Sequence, residues 1–162
     1  NQEISSLYKY IALFEKDLST KCKLHKRRIN ILKPIESELS LKVYENLILE
    51  LCFELGNIYE EMASIKRTIL DKSNNNITQN DSKKITKIND LFNNGITYFS
   101  KFIKILEFPL NRDSNMTEAA LIPTEYITSY IQCKFMIAAI YNKMIPNNSD
   151  EHIKYISNAI NG

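Results

Sequence analysis

Apolar residues recur at steps of three and four along most of the chain, a spacing that predicts long amphipathic helices. The first such stretch, from Ile4 to Leu32, predicts one helix of about 28 residues, on the order of 42 Å long. A second, thinner apolar stripe lies on its opposite side, so we expect neighbours on two sides. Pro34 and the polar segment ESELS are expected to end this helix. The main apolar face consists of Ile4, Leu7, Tyr8, Ile11, Phe14, Leu18, Cys22, His25, Ile29 and Leu32, and the thin stripe of Leu13, Leu24 and Ile31.

Four more segments show the same periodicity, and Ser40 is a suitable N-cap for the first of them. The stretches DKSNNNITQND and EFPLNRDSNMTEAALIP between these segments have the composition of loops. The chain contains only three glycines and four prolines, too few for the frequent turns of a β-rich fold. The sequence therefore predicts an all-α protein. The four further helices are expected at about Leu41 to Leu70, Ser82 to Leu106, Thr124 to Ile145, and from Ser149 onward.

Short patterns of small and aromatic residues favour a particular helical architecture. Leu55 and Gly56 followed by Tyr59 match the core of the first helix of a tetratricopeptide hairpin. We therefore predict a tetratricopeptide-like α-solenoid built of antiparallel helical hairpins with long helices. Residues 1–162 are expected to form one unit that is a piece of a longer solenoid. The supporting patterns are Gly95 with Phe99 and Phe102, and Ile137 and Ala138 followed by Tyr141.

Composition and candidate chemistry argue against several classes of function. The net charge is +2, which provides no global attraction to nucleic acid, and no apolar run is long enough for membrane insertion. Three widely spaced cysteines suggest a reducing compartment. Neither His25 nor His152 has a partner at the spacing of a catalytic triad, so we expect no enzyme. Cys22 and His25 could share a zinc ion, but a structural zinc site needs four ligands and the sequence offers no second pair. A buried thiol beside a core imidazole is therefore the preferred interpretation.

The segment KCKLHKRR, residues 21–28, is the most distinctive local feature, with five basic residues in eight positions. It fits three interpretations, namely a solvated helix face, a nucleic-acid contact or a protein-docking surface. The absence of interleaved aromatic residues argues against nucleic acid. On a continuous helix Lys9, Lys16, Lys23 and Arg27 lie on one flank, Lys21 and Arg28 lie on another, and Lys26 borders the apolar stripe.

Two features of the second helix add to the candidate surface. Glu50, Glu54 and Glu61 form an acidic stripe that suits a basic partner, although such a stripe is more often a solvated face. Phe53 lies off the apolar arc, so it either packs on the next helix or is an exposed anchor for a partner.

Five segments follow one another along the chain, namely LFEKDLSTKCKLHKRRINILKPIESEL, ELCFELGNIYEEMASIK, KINDL, YFSKF and CKFMIAAIYNKM. Together and in this order they resemble the KIF-binding protein (kinesin-binding protein) family. The run from Cys22 to Arg28 is the most specific of them. The resemblance spans nearly the whole chain and fits poorly at the two predicted loops, from Asn74 to Asp81 and from Asn111 to Ile122.

This resemblance implies the C-terminal portion of a tetratricopeptide-like solenoid that binds kinesin motor domains. It implies a protein that keeps motors off microtubules, acts in the cytoplasm on cytoskeletal transport and axon growth, and has neither catalytic activity nor a cofactor. The alternative is a purely structural segment that stabilises a larger interaction solenoid. Surface reasoning selects Lys16, Lys23, Lys26, Arg27 and Arg28 as the first docking candidates, with Glu50, Glu54 and Glu61 second.

Overall fold

The structure is a computed structural model that describes residues 2–73, 79–107, 122–146 and 149–161. Within these ranges the chain forms six α-helices and one short 3-10 helix, with no strand, which confirms the all-α prediction. Most of the two predicted loops, residues 74–78 and 108–121, lies outside the described ranges. The helices are α1 (Gln2–Phe14), α2 (Leu18–Glu38), α3 (Leu41–Ser73), α4 (Gln79–Glu107), the 3-10 helix (Thr124–Tyr126), α5 (Ile127–Lys143) and α6 (Ser149–Asn161).

The first predicted helix is two helices, because the chain leaves helical geometry between Phe14 and Leu18. Asp17 adopts an extended conformation and its carboxylate accepts a hydrogen bond of 2.7 Å from the Thr20 backbone N–H, which makes it the N-cap of α2. The Asp17 N–H in turn donates to Glu15 Oε1 at 2.8 Å. The prediction of one continuous helix was therefore wrong, and residues on either side of the break do not share a flank.

The faces of α1 also differ from the prediction. Its buried positions are Ser5 and Ala12, which are 3% and 2% exposed. Small residues at these positions permit a close approach of α1 to α2, on which it packs. The predicted apolar face points away from that contact, because Ile4, Leu7, Ile11 and Phe14 are 48%, 58%, 43% and 84% exposed.

Pro34 does not end α2, which continues to Glu38. A proline in a helix interior leaves the carbonyl four residues earlier without its hydrogen bond. Here that carbonyl belongs to Asn30, which is exposed like Pro34, so water can replace the lost partner. Beyond the proline, the buried Glu36 forms an ion pair with Lys101 of α4, which ties the last turn of α2 to the core.

Helices α3 and α4 form an antiparallel hairpin at the centre of the molecule. Phe53 packs against Phe102 with ring centroids 6.0 Å apart, and Tyr59 stacks on Tyr98 at 5.7 Å. Phe53 is therefore a packing residue of the next helix layer. The largest fully buried side chains at this centre are Phe92, Phe99, Leu49, Leu55, Ile58 and Ile140.

Helix ends differ from the prediction by a few residues. Helix α3 continues through Ser73, and α4 begins at Gln79, before the predicted start at about Ser82. The carbonyl of Ser40 accepts hydrogen bonds from the Val43 and Tyr44 N–H groups, as at a helix start, but Tyr44 then departs from helical geometry and introduces a kink.

Each helix packs mainly on the next one along the chain, from α1 through α6. Asn89 of α4 fixes the segment after α5, because its side-chain amide exchanges hydrogen bonds of 2.8 and 3.1 Å with the backbone of Ile145. Nearest-neighbour packing is typical of solenoid proteins. The tetratricopeptide-like classification stays a prediction.

Candidate functional site

A groove runs beside α2 and over α3, with a volume of about 490 Å³. Its floor includes Tyr59 and Met62 of α3, which are 7% and 6% exposed, and Leu91 of α4 lines it as well. Positions on α2 spaced by three and four lie on one face of that helix, so they form one wall. These wall residues are Ser19, Cys22, Lys23, Lys26, Ile29 and Asn30.

A second depression, with a volume of about 330 Å³, follows the crevice between α3 and α4. It shares Lys66 with the first, so the two form one elongated surface. Its other lining residues are Ile69, Leu70, Ser73, Lys84, Lys87 and Ile88. We call the combined surface, defined by the residues that line the two depressions, the lysine groove.

The lysine groove carries a single sign of charge. None of its lining residues among those described is acidic. Lys23, Lys26, Lys66 and Lys87 are exposed. No ion pair of the described residues involves any of these four lysines. The groove therefore combines an apolar floor with uncompensated positive charge along its rim.

Cys22 is half-buried in the groove wall. Burial raises the pKa of its thiol, and the positive charge of Lys66 partly opposes this shift. The thiolate is the reactive form of cysteine, and a raised pKa keeps the Cys22 thiol protonated at neutral pH, so Cys22 acts as a packing residue.

The opposite side of α2 contacts α1 and α3 through a network of paired charges. Arg28 forms an ion pair with Glu54, and its Nη1 lies 3.2 Å from His25 Nδ1. Lys9 of α1 also reaches Glu54, with 3.5 Å between Nζ and Oε2. Basic and acidic groups here largely satisfy one another, in contrast to the lysine groove.

His25 is a core residue, 1% exposed, as the sequence indicated. Its Nε2 lies 3.2 Å from Glu61 Oε2 without forming a hydrogen bond. Burial and the neighbouring Arg28 lower the pKa of His25 to about 4, so the imidazole is neutral at physiological pH. Burial raises the pKa of Glu61.

The structure separates the predicted basic candidates. Lys23 and Lys26 lie together in the groove. Arg27 turns toward α1, where its guanidinium carbon lies 5.6 Å from the centroid of the Tyr8 ring. Lys16 is exposed in the linker between α1 and α2, away from the groove lining. The prediction that Arg28 lies on a surface flank was wrong, because this residue is only 2% exposed and neutralises Glu54 inside the molecule.

The acidic candidates also separate. Glu54 is engaged by Arg28 and Lys9 and serves the internal network. Glu50 is exposed and lines a different depression, of about 340 Å³, beside α1. Glu61 is half-exposed beside His25. The three carboxylates therefore lie on the side of α3 that faces α1, and none of them lines the lysine groove.

Sequence reasoning missed the contribution of α3 and α4 to the groove. Lys66 and Lys87 lie far from the basic run in sequence, and Tyr59 was noted only as part of a tetratricopeptide pattern. The available signal in the sequence was the presence of lysines beside the apolar faces of α3 and α4. Choosing Lys66 and Lys87 among them required knowledge of which helix faces pack together.

Neither a cluster of metal ligands nor a membrane-spanning helix is found in the described part of the chain. Across residues 2–73, 79–107, 122–146 and 149–161, no three His, Cys, Asp or Glu side chains cluster as metal ligands. None of the helices in these ranges combines the length and apolar character needed to cross a bilayer. The side chain of His152, the other histidine, lies outside the described residues.

Comparison with known proteins identifies relatives across vertebrates. The chain is 32% identical to a KIF-binding protein of Gallus gallus over 98% of its length, 31% identical to that of Danio rerio over 96%, and 28% identical to that of Homo sapiens over 98%. It spans about a quarter of the length of these relatives, namely 25%, 23% and 24%. No solved structure matches it. The family described as KIF-1 binding protein C terminal matches residues 1–162. The chain therefore belongs to the KIF-1 binding protein C-terminal family.

Proposed function

We propose that the chain is a non-enzymatic binding module that docks kinesin motor domains and blocks their attachment to microtubules. The observation that carries this proposal is the family match over residues 1–162, together with relatives that are KIF-binding proteins. The module is the C-terminal part of a longer tetratricopeptide-like solenoid. It acts in the cytoplasm, on motors that serve microtubule-based transport and axon growth.

Mutual exclusion is sufficient as a mechanism. A ligand that prefers the detached motor shifts the attachment equilibrium away from the microtubule, to an extent set by the difference between its affinities for the detached and attached states. This requires a surface that holds the motor and sterically excludes the track. It requires no catalytic group.

The lysine groove supports this proposal as the docking surface. Lys23 and Lys26, both docking candidates from the sequence, lie in it beside an apolar floor. Apolar centres with a charged rim are typical of protein interfaces, where the rim mainly accelerates association and selects partners. Lys16, Arg27, Glu50 and Glu61 remain exposed candidates outside the groove.

Direct binding tests the proposal. A panel of purified kinesin motor domains is passed over the immobilised full-length protein, and association is recorded by biolayer interferometry. Saturable binding of some motors is expected, and a complete lack of binding across the panel would contradict it. A mixture of free nucleic acid serves as a control for non-specific attraction to lysines, and we expect no binding at physiological salt.

One observation favours a second function, that of a structural segment. The apolar face of α1, with Ile4, Leu7, Ile11 and Phe14 exposed, is typical of a helix covered by a neighbour. In that case the chain stabilises a larger solenoid and other parts of the protein hold the motor. Charge reversals in the lysine groove would then leave motor binding unchanged.

A further inference from the structure

We propose that the lysine groove recognises an acidic amphipathic helix carried by the kinesin motor domain. This inference rests on the proposed function and adds the chemistry of the recognised element. The helix places its apolar face on the groove floor and its carboxylates against the lysine rim. Three independent features of the groove lead to this assignment.

The first feature is shape. Along α3 the lining residues extend from Tyr59 to Ser73, which corresponds to about 21 Å at the rise of an α-helix. A trough of that length between helices matches roughly four turns of a guest helix. Helix-in-groove recognition uses apolar anchors at successive turns of the guest.

The second feature is the apolar floor. Ile69 is 38% exposed and Leu91 is half-buried, so both offer apolar surface to a guest. Tyr59 and Met62 lie beneath, with little exposed area of their own. Methionine adapts its shape readily and is common at surfaces that bind helices.

The third feature is charge. Lys23 and Lys26 stand on α2, Lys66 on α3 and Lys87 on α4, so unpaired cations approach the trough from three helices. No described lining residue supplies an opposing charge. Carboxylates of a guest would complete these pairs, whereas a basic guest would add repulsion.

The other face of α2 does not have this property. There Lys9 and Arg28 pair with Glu54, and Lys143 pairs with Glu60 at 2.6 Å. The lysines Lys23, Lys26, Lys66 and Lys87 of the groove form no ion pair with the described residues, whereas Lys9, Arg28 and Lys143 on the α1 side do. This asymmetry selects the lysine groove, rather than the α1 side, for an acidic guest.

The experiment measures two fluorescent helical peptides against the full-length protein by anisotropy. Both carry leucine on one face, and the other face carries glutamate in the first peptide and lysine in the second. The glutamate peptide is expected to bind, more weakly as salt rises, and the lysine peptide is not. Equal binding of the two peptides would overturn the charge assignment.

Variants locate the peptide. Lys23→Glu combined with Lys66→Glu is expected to weaken binding of the glutamate peptide about tenfold. Its control, Lys42→Glu combined with Lys154→Glu, makes the same charge change at exposed positions outside the groove. Ile69→Asp tests the floor against Ile131→Asp, which alters an exposed isoleucine on α5. Equal losses in groove and control variants would overturn the location.

A competition arm separates this inference from the proposed function. Motor domains that bind the protein are expected to displace the glutamate peptide and to lose affinity for the groove variants. If motors bind the wild type and the groove variants equally, the inference fails while the proposed function stands. If no motor binds at all, the proposed function fails, and the inference that a motor supplies the helix fails with it.

Discussion

The ring of Phe99 on α4 fills the space beside Gly56 on α3, so closely that a Cβ on Gly56 would lie 2.6 Å from Phe99 Cε1. Phe99 is fully buried and its ring is surrounded by core residues. The absence of a side chain at position 56 therefore sets the distance between the two longest helices. These helices also carry much of the lysine groove.

Gly56→Ala is expected to destabilise the protein. Overpacking against Phe99 costs about 1–3 kcal/mol, and the better helix propensity of alanine returns up to about 1 kcal/mol. We expect a net loss near 1 kcal/mol, which lowers Tm by about 2–4 °C for a chain of this size. Thermal unfolding followed by circular dichroism measures the change.

Gly95→Ala is the matched control for this substitution. A Cβ at Gly95 would lie 3.4 Å from the Gly56 carbonyl oxygen and 3.5 Å from Ile140 Cδ1, which is close to ordinary contact. The helix-propensity gain is expected to dominate, leaving Tm unchanged or raised. If both variants lose the same stability, close packing at Gly56 is not the cause.

Glu54→Ala is expected to destabilise the protein by about 3 kcal/mol, because it leaves the buried Arg28 without its carboxylate. Glu50→Ala, one turn away at an exposed position, should stay within about 0.5 kcal/mol of the wild type. Urea unfolding of both variants makes the comparison. Equal stability of the two would remove Glu54 from the internal network and return it to the surface candidates.

Stability is expected to fall in acid through His25. Because its folded pKa of about 4 lies below the ordinary value of 6.5, the unfolded chain binds the proton more tightly. The neutral His25 therefore contributes its full stabilisation of the folded state above pH 6.5. This stabilisation, about 3 kcal/mol, is lost as pH falls toward about 4. Protonation would place a cation beside Arg28 and remove the acceptor at Nδ1.

A pH series of urea midpoints for the wild type and His25→Gln isolates this effect. Glu61 faces His25 and has a raised pKa, so its own effect on stability runs the other way, toward higher stability as pH falls, and it does so in both proteins. The difference between the urea midpoints of the two proteins should narrow as pH falls below 6.5, since only the wild type carries the imidazole. Parallel curves for the two proteins would show that His25 does not control acid stability.

Lys23→Glu is expected to slow motor association and weaken binding, with a larger effect at low salt. Arg27→Glu makes the same charge change four residues away, where the side chain packs near Tyr8 rather than in the groove. It should have a smaller effect on the association rate. Stopped-flow association across a salt series measures both, and identical rates for the two variants would remove the groove from the encounter surface.

The sequence predicted most of the fold because periodicity reports which residues share a helix face. It failed at Asp17, since three non-helical residues interrupt the chain without disturbing the apolar spacing. It also misplaced the contact face of α1. There the small residues Ser5 and Ala12 pack inward, because residue size rather than hydrophobicity decides how closely α1 approaches α2.

The candidate site was predictable only in part. Lys23 and Lys26 were identified because the basic run on α2 is dense. Arg28 appeared equivalent to them, since the Glu54 partner that buries it lies 26 residues away on another helix. Lys66 and Lys87 join the same surface only through the packing of α2, α3 and α4, which periodicity within one helix does not specify.

Microtubule co-sedimentation tests the central claim most directly. Purified kinesin motor domains are pelleted with microtubules, with and without the full-length protein, and with its groove variant Lys23→Glu combined with Lys66→Glu. We predict that the wild-type protein moves motors that bind it from the pellet to the supernatant, and that the variant does so less. Motors that bind the protein and still pellet fully with microtubules would contradict the account.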